Sequence, residues 1–212
     1  MPVNPPATSN YDRMRDAMER EFLRYDQARM IDKFSLAHDP SYLYLNFVGR
    51  AYRVSRFTGR VETVPGTAGG SLHADYNVSM TVFDVLCASK PDCRPAGVFT
   101  ALHSVKGLAR TVAPGAGLFA REARFFSGRL PQLRAACEAL GGRPAPTGDA
   151  AYRLALFDFL PVVLQFWDAD EEFDAVLKFL WDENILDFMH YETTFFASAH
   201  LLSRLIELCA EN

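Results

Sequence analysis

The sequence predicts an α+β protein, in which a mostly antiparallel sheet packs against helices in a single compact domain after a flexible tail at residues 1–10. Two observations favour this class. Some segments repeat apolar residues every three to four positions, as helices do, while others are short aromatic and β-branched runs, as strands are. The two kinds of segment do not alternate regularly, as a parallel βαβ fold requires. With 212 residues, 49% of them hydrophobic, the chain can bury a substantial core.

The N-terminal part of the chain predicts one helix followed by a small sheet. The helix is expected to start at a cap provided by Ser9 or Asn10 and to run to about Lys33, with one apolar stripe. Residues 42–64 change to short strand-like runs. A Thr-Gly pair at residues 58–59 predicts a hairpin turn between the last two of these strands.

The rest of the chain predicts both helices and strands. Helical patterns cover residues 74–89, 117–126, 131–140 and 188–209. Strand-like patterns cover residues 98–105, 151–159 and 161–167, the last of them apolar almost throughout, as for a strand covered on both faces. Between the last strand and the final helix, Phe173, Val176, Leu177, Leu180 and Trp181 follow the spacing of an amphipathic helix.

An acidic run lies at the start of that expected helix. Asp168 fits an N-cap, and Glu171 three residues later completes a capping box. Asp170 and Glu172 then fall in the first turn, where the helix dipole favours negative charge. Capping and the helix dipole therefore account for these four carboxylates, and a metal or acid/base site is the alternative.

Neither capping nor the dipole of this expected helix explains Asp182 and Glu183. They follow the last apolar turn of the same expected helix, where the dipole favours cations. They can belong to the start of the next helix, or they can serve a ligand. Acidic groups beyond the end of a buried strand are also well placed for ligand binding in open sheets.

The segment His190-Tyr191-Glu192 contains three groups capable of ligation or proton transfer. At about 100° per residue, His190 and Glu192 point to nearly opposite sides of one helix. They can face a common site only if His190 precedes the helix. A lone histidine at a helix start or in the core is the simpler expectation.

A glycine-rich loop, which begins at Gly66 and ends at Ser71, predicts a weaker alternative function. Such a loop before a helix can bind an anion or a nucleotide through backbone N–H groups, but it matches no phosphate-loop motif. Nearby arginines would supply positive charge, or form the solvated face of a hairpin. They are Arg50, Arg53, Arg56 and Arg60.

Composition excludes several classes of protein. The net charge of −4, without a Lys/Arg block, argues against a nucleic-acid partner, and no apolar run is long enough to span a membrane. The N-terminus lacks the layout of a signal peptide, and the four cysteines form no close pair, so we expect a cytoplasmic location with buried structural thiols. No hydrolase motif is present.

The C-terminal third resembles an uncharacterised prokaryotic family, domain of unknown function 3786. The residues that carry the resemblance are Gly141-Gly142, Gly148-Asp149, Pro161, the run 167–173 and Trp181-Asp182. Members occur mostly in anaerobes, and some carry a cysteine-rich iron–sulfur segment ahead of this domain, so the resemblance implies a redox or corrinoid neighbourhood. This chain departs from that arrangement, because no cysteine precedes Cys87.

The sequence thus favours a non-catalytic cytoplasmic domain that binds a protein partner or a small molecule through the Phe/Trp-rich surface of its C-terminal third. The alternatives are a metal-dependent enzyme that uses the acidic residues, and the anion binder. The candidate ligand-binding residues are Trp167, Asp168, Asp170, Glu171, Glu172, Trp181, Asp182, Glu183, His190 and Glu192. The sequence identifies no catalytic residue, metal ligand set, cofactor or oligomeric state.

Overall fold

The computed structural model describes residues 9–64, 66, 72–108 and 117–211 of the chain. The α-helices in this part are α1 (Asn10–Phe22), α2 (Gln27–Phe34), α3 (Tyr76–Phe83), α4 (Ala120–Phe126), α5 (Leu130–Ala139), α6 (Ile185–Phe188) and α7 (Tyr191–Glu211). The strands are β1 (Ala37–His38), β2 (Tyr42–Phe47), β3 (Arg50–Ser55), β4 (Val61–Thr63), β5 (Phe99–Ala101), β6 (Arg143–Pro144), β7 (Ala150–Phe157), β8 (Leu160–Trp167) and β9 (Val176–Asp182).

The strands form one antiparallel sheet in the order β4-β3-β2-β7-β8-β9-β5. Strand β1 pairs with β2, and the short strand β6 pairs with β7. A single cluster of buried apolar residues extends from Phe22 on α1 to Leu205 on α7. The predicted α+β class with a mostly antiparallel sheet is confirmed. No helix of the described residues is long and apolar enough to cross a bilayer.

The predicted N-terminal helix is two helices. Ser9 caps α1 by accepting a hydrogen bond from the Asp12 N–H, as predicted. However, α1 ends at Phe22, and Asp26 caps a new helix by accepting hydrogen bonds from the N–H groups of Ala28 and Arg29. The apolar spacing continues through the break between the two helices and therefore did not predict it. The Asp26 side chain favours a helix start, because its hydrogen bonds to backbone N–H groups compete with those of a continuous helix.

The predicted hairpin turn joins β3 to β4. Gly59 has a φ of +76°, and a Cβ atom there would lie 2.0 Å from the backbone oxygen of Glu19 on α1. Only glycine tolerates both the backbone conformation and this approach. The turn therefore packs directly against the first helix.

The predicted helix over residues 173–181 is wrong, because Val176–Asp182 is strand β9. It pairs with β8 from Val176 to Trp181 and with β5 at its end. Its buried apolar residues are Leu177, Phe179 and Trp181, which alternate, whereas Phe173 is 69% exposed. The segment satisfies both the helical and the strand period, and pairing with β8 decides between them.

The other C-terminal predictions agree with the structure to within a few residues. Helices α4 and α5 and strands β7 and β8 occur where the sequence predicted them. The helix predicted over residues 74–89 is α3 followed by a π-helical turn, Asp84–Ala88. The strand predicted over residues 98–105 is shorter, because a 3-10 turn, Leu102–Ser104, follows β5.

The register of β7, β8 and β9 separates their side chains into two faces. On the face that packs against helices, Leu154, Val162 and Trp181 form one row. Phe126 on α4 contacts Phe166 on this inner face, and Phe119 contacts Phe179. Alternate residues point to the opposite face, where Arg153, Val176 and Lys178 are exposed to solvent.

Candidate functional site

The acidic run between β8 and β9 is a loop, so the predicted capping box is wrong. Asp168 accepts hydrogen bonds from the Ser127 hydroxyl (2.8 Å) and from the N–H groups of Gly128 (3.0 Å) and Ala169 (2.8 Å). Burial alone would raise the pKa of this carboxyl, but these hydrogen bonds outweigh burial and hold the pKa below its usual value. Asp168 therefore ties the end of β8 to the turn between α4 and α5.

The rest of this loop presents its side chains to solvent. Asp170 accepts hydrogen bonds from the N–H groups of Glu172 and Phe173, each at 2.8 Å, and its own N–H donates to the Phe173 carbonyl. Glu171, Glu172 and Asp174 are exposed. We call residues 169–174 the acidic loop.

Asp182 is completely buried at the end of β9. Its carboxylate accepts hydrogen bonds from the N–H groups of Ala96 (2.9 Å), Gly97 (2.8 Å) and Asn184 (3.0 Å). Charge-assisted hydrogen bonds to backbone N–H groups satisfy a buried carboxylate. Asp182 thus fastens the loop that precedes β5, which explains its position without a ligand.

Glu183 has a different environment from its neighbour. Its carboxylate lies 2.7 Å from the ammonium nitrogen of Lys106, and its carbonyl accepts a hydrogen bond from the Lys106 N–H. Its own N–H donates to the Val98 carbonyl. Glu183 therefore connects the end of β9 to the segments before and after β5.

His190 precedes α7, as expected for a histidine at a helix start. Asp84, from the π-helical turn, accepts hydrogen bonds from the His190 backbone N–H (2.7 Å) and lies 2.6 Å from its ring Nδ1. Glu192 is exposed in the first turn of α7. The histidine and Asp84 form a contact between two elements.

The structure does not gather the acidic residues into one site. Asp168 and Asp182 lie at opposite ends of β9, and a seven-residue strand is about 20 Å long. In the described part of the chain, no three His, Cys, Asp or Glu side chains come close enough to hold a metal ion together. The geometry therefore provides no support for the acidic-cluster enzyme.

The glycine-rich loop lies outside the described residues except for Gly66 and cannot be placed. Three of the neighbouring arginines have partners within the chain. Arg50 pairs with Glu207 (3.0 Å), Arg53 with Glu62 (3.4 Å), and Arg56 donates to Gln27 and to the Asp39 carbonyl. These arginines hold the hairpin to its surroundings.

Two cavities adjoin helix α2. One, of ≈ 580 Å³, is lined by residues that include Arg29, Lys33 and Cys87, and burial raises the pKa of the Cys87 thiol to about 12. That thiol is protonated at neutral pH and is not a ready nucleophile. The second, of ≈ 550 Å³, also meets Lys33, and has a size typical of small-ligand sites.

Some polar groups of these cavities hydrogen-bond within the chain. The Lys33 ammonium donates to the Ser89 carbonyl (2.9 Å) and hydroxyl (2.8 Å), and Asn46 donates to Asp158 (3.1 Å). The small-molecule ligand that the sequence led us to expect on the C-terminal third stays a prediction.

The open face of β7, β8, β9 and β5 is a feature that the sequence did not reveal. Register puts Arg143, Arg153, Val163, Leu180 and Ala101 in one row across five strands. A second row pairs Gln165 with Lys178, and a third pairs Trp167 with Val176. Phe99 adjoins this surface from β5. We call these residues the outer sheet face.

Two cationic side chains of the outer sheet face lie over aromatic rings. The Arg153 guanidinium is 5.1 Å from the centre of the Phe99 ring, and the Lys178 ammonium is 5.0 Å from the Trp167 ring. Strands β8 and β9 separate Arg153 from Phe99, so the two side chains extend across the sheet. This cover leaves Val163 only 7% exposed although no helix of the inner layer lies above it.

Of the two predicted tryptophans, Trp167 lies on the outer sheet face and is half-buried, while Trp181 belongs to the inner face and is buried. Sequence reasoning missed Arg143, Arg153 and Lys178. The signal for Arg153 was the alternation in residues 150–157, but Lys178 was hidden by the helical interpretation of β9.

One family model matches the chain, whereas no curated protein and no solved structure matches it. The model describes a domain of unknown function and matches residues 26–204, from the start of α2 to near the end of α7. The match covers the whole outer sheet face and the acidic loop. The chain therefore belongs to the DUF3786 family of domains of unknown function.

Proposed function

We propose that the chain is a non-catalytic cytoplasmic domain that binds an acidic partner on its outer sheet face. The single observation that carries the proposal is a set of three cations on this face, Arg143, Arg153 and Lys178, that have no carboxylate partner among the described residues. The cysteines, all free thiols, are typical of a reducing compartment.

Several arginines elsewhere are neutralised within the chain. Arg15, Arg24, Arg50 and Arg204 each pair with a carboxylate in the chain. By contrast, Arg143 and Arg153 lie directly opposite each other on β6 and β7. The Arg153 side chain extends away from Arg143 towards Phe99, so the positive charge is spread across the face. An acidic partner that covers the face would be attracted by both arginines.

The residues around these cations favour an acidic protein surface as the partner. Leu180 and Val176 supply apolar area, and Trp167 and Phe99 supply aromatic rings. Aromatic and Arg side chains are enriched in protein interfaces. The two rings hold Arg153 and Lys178 close to one position, which lowers the entropy lost on binding.

A titration with a synthetic peptide of alternating Glu and Phe residues tests this function. We expect saturable binding that perturbs the amide resonances of β7, β8 and β9 and weakens with added salt, because the attraction is electrostatic. Replacing both Arg153→Glu and Lys178→Glu should weaken binding at least tenfold.

The matched control carries the same change of charge at another place. Arg20→Glu and Arg121→Glu alter two exposed arginines on α1 and α4. This control should bind the peptide like the original chain. Equal weakening by both double variants, or no binding by the original chain, would contradict the proposal.

A further inference from the structure

The chain itself contains a segment that complements the outer sheet face. We propose that the acidic partner is a second copy of this chain, whose acidic loop binds the outer sheet face. This inference rests on the proposed function, because it uses the same face and names its occupant.

The acidic loop has the charge and the apolar group that the face requires. It carries four carboxylates and no cation, and Phe173 in its middle is 69% exposed. None of the four carboxylates, on Asp170, Glu171, Glu172 and Asp174, has a side-chain cation partner in the described ranges. An exposed phenylalanine flanked by carboxylates matches a face that combines cations with aromatic and aliphatic side chains.

The start and the turn of the loop are held in place before binding. Asp168 is tied to Ser127 and Gly128, and its N–H donates to Asp149 at 2.8 Å. Within the loop, Asp170 and Phe173 hydrogen-bond to each other in both directions. The turn that presents Phe173 is therefore ordered without a partner, so little conformational entropy is lost on binding.

The loop and the face belong to the same hairpin. The loop joins β8 to β9, and Trp167 and Lys178 lie near its two ends. In a two-fold dimer each copy would supply both its loop and its face, which gives two equivalent contacts. With a net charge of −4 on each chain, the copies repel overall. The dimer therefore requires these local opposite charges, and salt should weaken it.

Sedimentation velocity of the full chain over a range of concentrations tests this inference. We expect a dimer at low salt that dissociates as salt is raised. A face variant (Arg153→Glu with Lys178→Glu) and a loop variant (Glu171→Lys with Glu172→Lys and Asp174→Lys) should each be monomeric. The control variant (Arg20→Glu with Arg121→Glu) should dimerise like the original chain.

An equimolar mixture of the face and loop variants provides the sharpest readout. In a mixed dimer, one contact joins an original loop to an original face, and the other joins a basic loop to an acidic face. Both contacts are attractive, so the mixture should dimerise although neither variant does alone. Circular dichroism melts would establish that each variant is folded.

Several results would overturn the second copy as the occupant. They are a monomeric original chain at all concentrations, a dimer that both variants retain, and a mixture that stays monomeric. If the Glu-Phe peptide still binds in those cases, the face takes another acidic protein and the proposed function stands. If a single-stranded oligonucleotide binds the face and the peptide does not, both proposals fail.

Discussion

The two faces of β7, β8 and β9 are built from alternate residues of the same strands, yet they differ in what they do. The inner face carries large apolar side chains that contact the helices, such as Phe166 against Phe126. The outer sheet face carries cations that lie on aromatic rings and that lack carboxylate partners among the described residues. Since successive side chains of a strand point to opposite sides, one hairpin can stabilise the fold and present a binding surface independently.

The largest effect is expected on the inner face. Phe166→Ala removes a fully buried ring and leaves a cavity, so the free energy of unfolding should fall by about 4 kcal/mol. Urea unfolding measures this change. Val176→Ala, on the outer sheet face of the neighbouring strand, is the control and should cost less than about 1 kcal/mol, because Val176 is already 40% exposed. Similar losses for both variants would contradict the division of roles.

Asp182→Ala should give the next largest effect. The change leaves the buried N–H groups of Ala96, Gly97 and Asn184 without their acceptor, which should lower the free energy of unfolding by about 3 kcal/mol. Glu171→Ala in the acidic loop removes the same kind of group from an exposed position. It should leave the unfolding curve unchanged, and a large loss there would indicate an unrecognised internal partner.

The inner layer should also make stability depend on pH through His200 on α7. Its imidazole lies against the Phe47 ring, with Nε2 3.4 Å from the Tyr52 hydroxyl. Burial, followed by the charges of Arg50 and Arg204, lowers the pKa of His200 from 6.5 to about 4. The unfolded chain therefore binds more protons between these values, so this stability is present above pH 6.5 and is lost as pH falls towards 4.

The expected loss over this window is about 2 to 3 kcal/mol. Urea unfolding at several pH values measures it, and His200→Gln should flatten the profile. The exposed His38 offers a control, since His38→Gln should leave the slope as it is. A variant at position 200 that keeps the full slope would show that other groups cause it.

The smallest effect on stability is expected from the outer cations. Arg153→Ala with Lys178→Ala should lower the free energy of unfolding by about 1 kcal/mol, because cation–π contacts at exposed sites are weak. The same double variant should lose binding of the acidic peptide. Urea unfolding measures the contribution of the two cations to stability, and the titration measures their contribution to binding. A large loss of stability with retained binding would show that the cations stabilise the fold and do not bind the partner.

Most elements with one clear periodicity could be predicted from the sequence. Strands β7 and β8, helices α4 and α5, the Ser9 cap and the hairpin turn at Gly59 follow from local patterns. The failures occurred where two patterns fitted the same residues. Residues 173–181 match both a helix and a strand, and the acidic residues before them match a capping box only if the helix exists.

By itself the sequence determined the α+β class, the positions of β7, β8, α4 and α5 to within a few residues, and the choice of Asp182 as a residue that needs its own explanation. Only the tertiary structure decided that β9 is a strand, because its pairing with β8 and β5 outweighs local preference. The same pairing places Lys178 beside Trp167 and aligns Arg143, Arg153 and Val163 on the outer sheet face. A surface made of alternate residues from five strands exists only once the register of the strands is set.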